Sequence, residues 1–141
     1  MNKIPVIKRF GRGDRLYVQA QQIWLILVAF VESNKEKGPN CDKTMSYGEL
    51  ALKMGYEDRR AGHMLSRQLG IVGQLCVNDS LPALNVIVVN AETGVPGDEV
   101  VLSPGFSVKD EQRAVFKQNW FELRVPTTGT FRQVWESPEE A

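Results

Sequence analysis

The sequence predicts an α+β fold: a helical body carrying a helix-turn-helix and a β-hairpin wing, closed by a C-terminal helix and a short strand. Three observations predict it. Residues 23–31 (IWLILVAFV) are apolar without interruption and would cover every side of a helix, which marks a buried one. Ser46 followed three residues later by Glu49 has the form of a reciprocal capping box, the start of a helix. Residues 84–90 (LNVIVVN) are a β-branched run followed by turn chemistry at 91–94 (AETG).

A basic arm comes first. Residues 1–15 carry Lys3, Lys8, Arg9, Arg12 and Arg15 against Asp14 alone, whereas Glu136, Glu139 and Glu140 make the last six residues acidic. Such an arm either sits on phosphates or is a solvated terminus. The buried helix should run from Leu16 to about Glu32, too long for a strand, since strands average about five or six residues. Residues 33–43 (SNKEKGPNCDK) read as a polar connection with a Gly-Pro break, too short and embedded to link domains. The capped helix carries Leu50, Ala51 and Met54 and stops at Gly55. After Tyr56, the acids Glu57 and Asp58 can cap a second helix that opens with Arg59 and Arg60 and continues through Met64, Leu65, Leu69, Val72 and Leu75 to about Asn78. Gly62, Gly70 and Gly73 weaken its continuity. Two helices joined by a few residues give the helix-turn-helix. Residues 100–102 (VVL) supply the return strand of the hairpin. Ser107 with Asp110 caps a last helix through Val108, Val115, Phe116, Trp120 and Leu123; Pro126 ends it, and residues 130–135 read as a short strand.

The chain has 141 residues, 17 Lys plus Arg against 17 Asp plus Glu, and 43% apolar residues, the balance of one domain over 1–141. Within it, 1–15 is the arm, 16–102 the core and 103–141 a C-terminal extension. A domain of this size buries about 68% of its unfolded surface and needs neither disulfide nor structural metal. Cys41 and Cys76 lie outside any CxxC pattern, and with no evident signal peptide they point to a reducing cytoplasm. The nine-residue apolar run falls short of the roughly twenty residues that cross a bilayer, so no membrane span is expected. His63 is the only histidine, which excludes HExxH zinc sites. No GxxxxGK[ST] or GxGxxG occurs. Neither thiol is set beside His63 by its spacing, and Asp79, Glu92, Asp98 and Glu99 read as solvated loop acids rather than a magnesium site. The expectation is therefore no catalytic set, no cofactor and no metal. A net charge of zero means that any nucleic acid must be held by a local patch.

The order of these segments resembles the DNA-binding domain of the alkylguanine-DNA alkyltransferases and their alkyltransferase-like relatives. In that family "QQxVWxxL" precedes "SYGxLAxxxG", an "RxVGxAL" recognition helix and then "PCHRV" leading into a hairpin. Here residues 21–27 (QQIWLIL), residues 46–51 with Gly55, and residues 59–65 (RRAGHML) follow that order, and the resemblance spans residues 17–97. It implies a winged-helix-like domain that binds duplex DNA and recognises modified or extruded bases, and the departure from the family at residues 83–85 makes it one that is not an enzyme. The alternative is a protein–protein interaction module that has kept the scaffold and lost DNA affinity. By resemblance, Tyr47 works against a phosphate as a nucleotide rotates out of the duplex, and Arg59, with Arg60 next to it, fills the vacated stack. Ser46 and Arg67 complete the candidate DNA contacts. Pro82 is followed by Ala83, Leu84 and Asn85 where the family has Cys-His-Arg, so these three mark the base-pocket position without its nucleophile. Ala83 has no atom to accept an alkyl group. Incubation with alkylated-guanine DNA followed by intact-mass measurement should therefore leave the mass of the chain unchanged; an added alkyl group, on Cys76 above all, would contradict the alignment.

Overall fold

The computed structural model describes residues 4, 6–11, 13–35 and 43–137. Lys3, Arg12, Cys41, Glu139, Glu140 and residues 36–42 of the polar connection lie outside the described residues. Helix α1 (Leu16–Asn34) leads to strand β1 (Met45–Ser46) and helix α2 (Tyr47–Lys53), and a 3-10 segment (Arg59–Met64) precedes α3 (Ser66–Asn78). A second 3-10 segment (Leu84–Ile87) runs into β2 (Val88–Val89). After an irregular stretch come α4 (Val108–Lys117), a 3-10 turn (Trp120–Glu122) and α5 (Thr128–Glu136). The fold is mostly helical with one two-stranded sheet among the described residues, in keeping with the α+β expectation.

The core is built on α1. Ala20, Ile23, Trp24, Leu27, Val28 and Val31 recur at three- and four-residue steps and are buried, so a run that is apolar all round still turns one face inward and leaves Leu25 exposed. The nine-residue run does not decide against a membrane span, because the whole helix has the length and hydropathy that a span requires. α1 packs on α3 and α5, which also touch each other. Trp24 meets Trp120 edge-on at 5.6 Å and Phe131 at 6.3 Å. Trp120, Phe131 and Val134 belong to the same buried cluster as α1, so residues beyond 103 complete the core rather than extend it.

Several expectations are corrected. Residues 130–135 are not a strand: they lie in α5, whose N-cap Thr127 accepts from the Thr130 N–H at 3.1 Å. Phe131, Val134 and Trp135 are spaced three and four apart, and that period outweighs the β-propensity of the segment. The second helix is not continuous. Asp58 caps it as expected, accepting from the Arg60 N–H at 2.9 Å, but the turn it opens is 3-10 and ends at Leu65, and α3 starts at Ser66. The α4 capping box is complete, with Ser107 and Asp110 bonded reciprocally. That helix stops at Lys117 and leaves Trp120 to the following turn.

The hairpin is not formed as expected either. Only Val88 and Val89 are extended, and they pair in parallel with Met45 and Ser46. The 91–94 turn does close: Asn90 Oδ1 accepts from the N–H groups of Glu92 and Thr93, Gly94 takes φ +72°, and the Asn90 N–H reaches the Val95 carbonyl. Pro96, which has no N–H, then stops the ladder, the Gly97 N–H goes to the Tyr47 hydroxyl instead, and residues 100–102 run unpaired.

A buried carboxylate fixes the segments on either side of β2. Glu111 is fully buried. Its Oε2 accepts from the Ala83 N–H at 3.1 Å and the Ser103 hydroxyl at 2.9 Å, and its Oε1 accepts from the Ser103 N–H. Glu111→Ala would strand the two N–H donors in the interior, at about 1–3 kcal/mol each. Urea unfolding should show a loss of at least about 2 kcal/mol on the same scale; unchanged stability would mean that the donors find other partners.

Candidate functional site

Tyr47 is the first residue of α2, directly after the cap. The Ser46 hydroxyl accepts from the Glu49 N–H at 3.0 Å, so Ser46 is occupied in starting the helix. Against the other side of Tyr47 lies Gly62: a Cβ there would stand 2.6 Å from the Tyr47 carbonyl carbon and oxygen, so only glycine allows this approach. Tyr47, Gly62, His63 and Ser66 form one wall of a groove of about 270 Å³, and Asn90, Thr93 and Val95 to Gly97 form the other. His63 is exposed beside it.

The Tyr47 hydroxyl donates to the carboxylate of Glu99, at 2.7 Å to Oε1 and 3.0 Å to Oε2, and accepts from the Gly97 N–H at 2.8 Å. Burial of the half-buried ring, and then the bond to Glu99, push the phenol well above the usual tyrosine range. α3 begins at the groove with no side-chain cap and no acid in its first turn, which leaves its N-terminal N–H groups and positive dipole end for an anionic group.

The arginines differ in their freedom. Arg59 is exposed and packs its Cβ beside Gly48 of α2. Arg60 is exposed but forked on Asp58, with Nη2–Oδ2 at 2.7 Å and Nε–Oδ2 at 3.0 Å. The guanidinium holds the Asp58 carboxyl below its usual range. Arg67 is exposed in the first turn of α3. Its charge reaches Tyr17, whose ring lies under the Arg132 guanidinium at 5.2 Å. Tyr47 and Arg59 therefore share the α2 edge, while Arg67 stands toward the start of α1.

Ala83, Leu84 and Asn85 are buried, and none of them lines this groove or the cavity beside Pro82. Asn85 Nδ2 donates to the carbonyls of Leu69 at 3.0 Å and Glu99 at 3.3 Å. Cys76 is wholly buried, and burial pushes its thiol up to about 12, which makes it an unreactive core residue at neutral pH. Among the described residues no group of three or more His, Cys, Asp or Glu side chains is arranged to hold a metal ion. Sequence reasoning missed His63, Ser66 and Asn90 as groove residues, and Glu99 as the partner of Tyr47. The contact between residues 47 and 99 leaves no local signal.

No protein-family model, no curated protein and no solved structure matches the chain.

The raised phenol has a measurable consequence. Because burial and then the bond to Glu99 hold its folded value above the ordinary one near 10, the stability tied to the protonated phenol is complete below about pH 10 and is lost as pH rises through the folded value. In an alkaline absorbance titration, Tyr47→Phe should remove tyrosinate signal from the part of the curve above pH 10; loss from the lower part would mean that the hydroxyl is not held as described.

Proposed function

We propose that the chain is a non-enzymatic DNA-binding protein of winged-helix type, with its contact surface at the Tyr47 groove and the start of α3. The observation that carries this reading is the juxtaposition of Tyr47 with an uncapped, acid-free helix N-terminus, flanked by the exposed Arg59 and Arg67. Phosphates bind readily at such a terminus, where N–H groups and the dipole act together. The closed 90–95 turn supports this reading by forming the other side of the groove.

The start of α3 also favours a different seating of the arginine motif. Residues 67–72 (RQLGIV) keep the Arg and the Gly of "RxVGxA", with Leu69 and Val72 for its Val and Ala, and lie inside an α-helix, whereas residues 59–64 fall in a 3-10 turn. That seating shortens the segment before Pro82. Arg67 then becomes the residue that enters a vacated stack, and Arg59 a phosphate contact. Among the described residues no cysteine lines the groove, so a modified or extruded base held there would not pass an alkyl group to a thiol.

A second reading, a protein-interaction module, is favoured by exposed Val77, Val101 and Phe106 around a cavity of about 550 Å³. DNA titrations over a salt series separate the two. If about four phosphates are neutralised, log affinity falls against log salt with a slope near −3.6. Arg67→Ala and Arg59→Ala should each weaken duplex binding by about 1–3 kcal/mol while changing stability by about 0.5 kcal/mol or less. Arg60→Ala should do less, because its guanidinium is already paired. Absence of binding at low salt, or loss of fold in the arginine variants with unchanged affinity per folded molecule, would decide for the interaction module.

A further inference from the structure

Between β2 and α4 the chain runs without regular structure over residues 90–107 and is held down at two places. One pin is Ser103 on the buried Glu111. The other is Tyr47, whose hydroxyl donates to Glu99 and accepts from the Gly97 N–H. The turn at the second pin is tight: a Cβ on Gly97 would lie 2.7 Å from Glu99 Oε2 and 2.9 Å from the Tyr47 hydroxyl. The same stretch covers Asn85 through the Glu99 carbonyl. Asn85 is 1% exposed, and its Oδ1 has no hydrogen-bond partner. Buried polar atoms are nearly always paired; the atom that the Glu99 carbonyl covers is Nδ2, so lifting the stretch would break that bond as well.

We infer that residues 97–99 are an autoinhibitory clasp: Glu99 occupies, on Tyr47, the place of a DNA phosphate, and DNA binds there by displacing it. This rests on the DNA-binding reading above. Carboxylate and phosphodiester are both anionic acceptors for the same phenol O–H, and two anions do not share it. A ligand therefore has to replace what Glu99 gives Tyr47 before it gains anything from the groove. The clasp therefore lowers the affinity of the unaltered chain for duplex without abolishing it.

The test is a fluorescence-anisotropy titration of a short labelled duplex at low salt. It compares the full chain, Glu99→Gln and the Glu99→Gln/Tyr47→Phe double variant, with hydrogen exchange read at the Gly97 amide. Glutamine keeps the length and an acceptor and removes the charge. The clasp predicts that Glu99→Gln binds about tenfold more tightly, that Tyr47→Phe takes the gain back, and that DNA speeds exchange at Gly97 in the unaltered chain. Equal affinity of the unaltered chain and Glu99→Gln, with Gly97 as protected with DNA as without, overturns the clasp and leaves DNA binding standing. If neither binds, the DNA reading falls and the clasp with it. Should Glu99→Gln fail to fold, Glu99→Ala reads the same way.

Discussion

Glu111 sits in α4 with no exposed surface, and its carboxylate joins three donors from two segments that have no sheet or helix to hold them. A buried charge is unfavourable unless its lone pairs are satisfied, and the same condition forces the donors into one arrangement. The Ala83 N–H fixes how the chain leaves Pro82 and enters the 3-10 segment before β2. The Ser103 N–H and hydroxyl fix how it returns from the groove to α4. Both walls of the molecule around Asn85 and Glu99 follow from that junction. Gln112, one residue on, repeats the device by donating to the Val86 carbonyl at 3.2 Å.

From that anchor the groove is set by close approaches that only small residues permit. Gly62 lets the 3-10 turn lie against the backbone of Tyr47, and Gly73 lets α3 lie against Asn85, whose Nδ2 would be 2.5 Å from a Cβ at that position. The first contact seats the 3-10 turn on Tyr47 at the groove, and the second seats α3 on the buried Asn85. The glycines that weaken the case for a long second helix are thus the ones that bring its pieces into place. Propensity counts their cost in an isolated helix, whereas the fold uses the room they leave.

What could be read from the sequence was what local chemistry controls. The buried helix at 16–34, the Ser46 cap, the Ser107–Asp110 box and the turn at 91–94 all depend on residues within four positions of one another, and each is present. What could not be read depends on distant partners. Residues 84–89 look like a strand because they are β-branched, yet 84–87 take a 3-10 turn because α3 and α4 bury them and claim their polar atoms. Residues 130–135 read as a strand from their composition, yet they are helical, and Thr127, three residues before Thr130, is the cap that starts the helix. At the site, Tyr47 was singled out only by the resemblance over residues 46–51, and its partner Glu99 lies 52 residues away in a loop of several acids.

The neutrality of the chain has a local counterpart at the groove. A domain with no net charge gains nothing from bulk attraction to an anion, and two polar groups near the groove are already paired within the molecule: Arg60 with Asp58, and the Tyr47 hydroxyl with Glu99. Arg59 and Arg67 are exposed, but they stand apart, one on the α2 edge and the other toward Tyr17 and Arg132. On the proposed DNA-binding reading, a phosphate at this surface would have to compete with the carboxylates already paired there. A group that brings several contacts at once would offset the broken pairs better than a single phosphate, so on that reading any selectivity would come from how the charges are partnered.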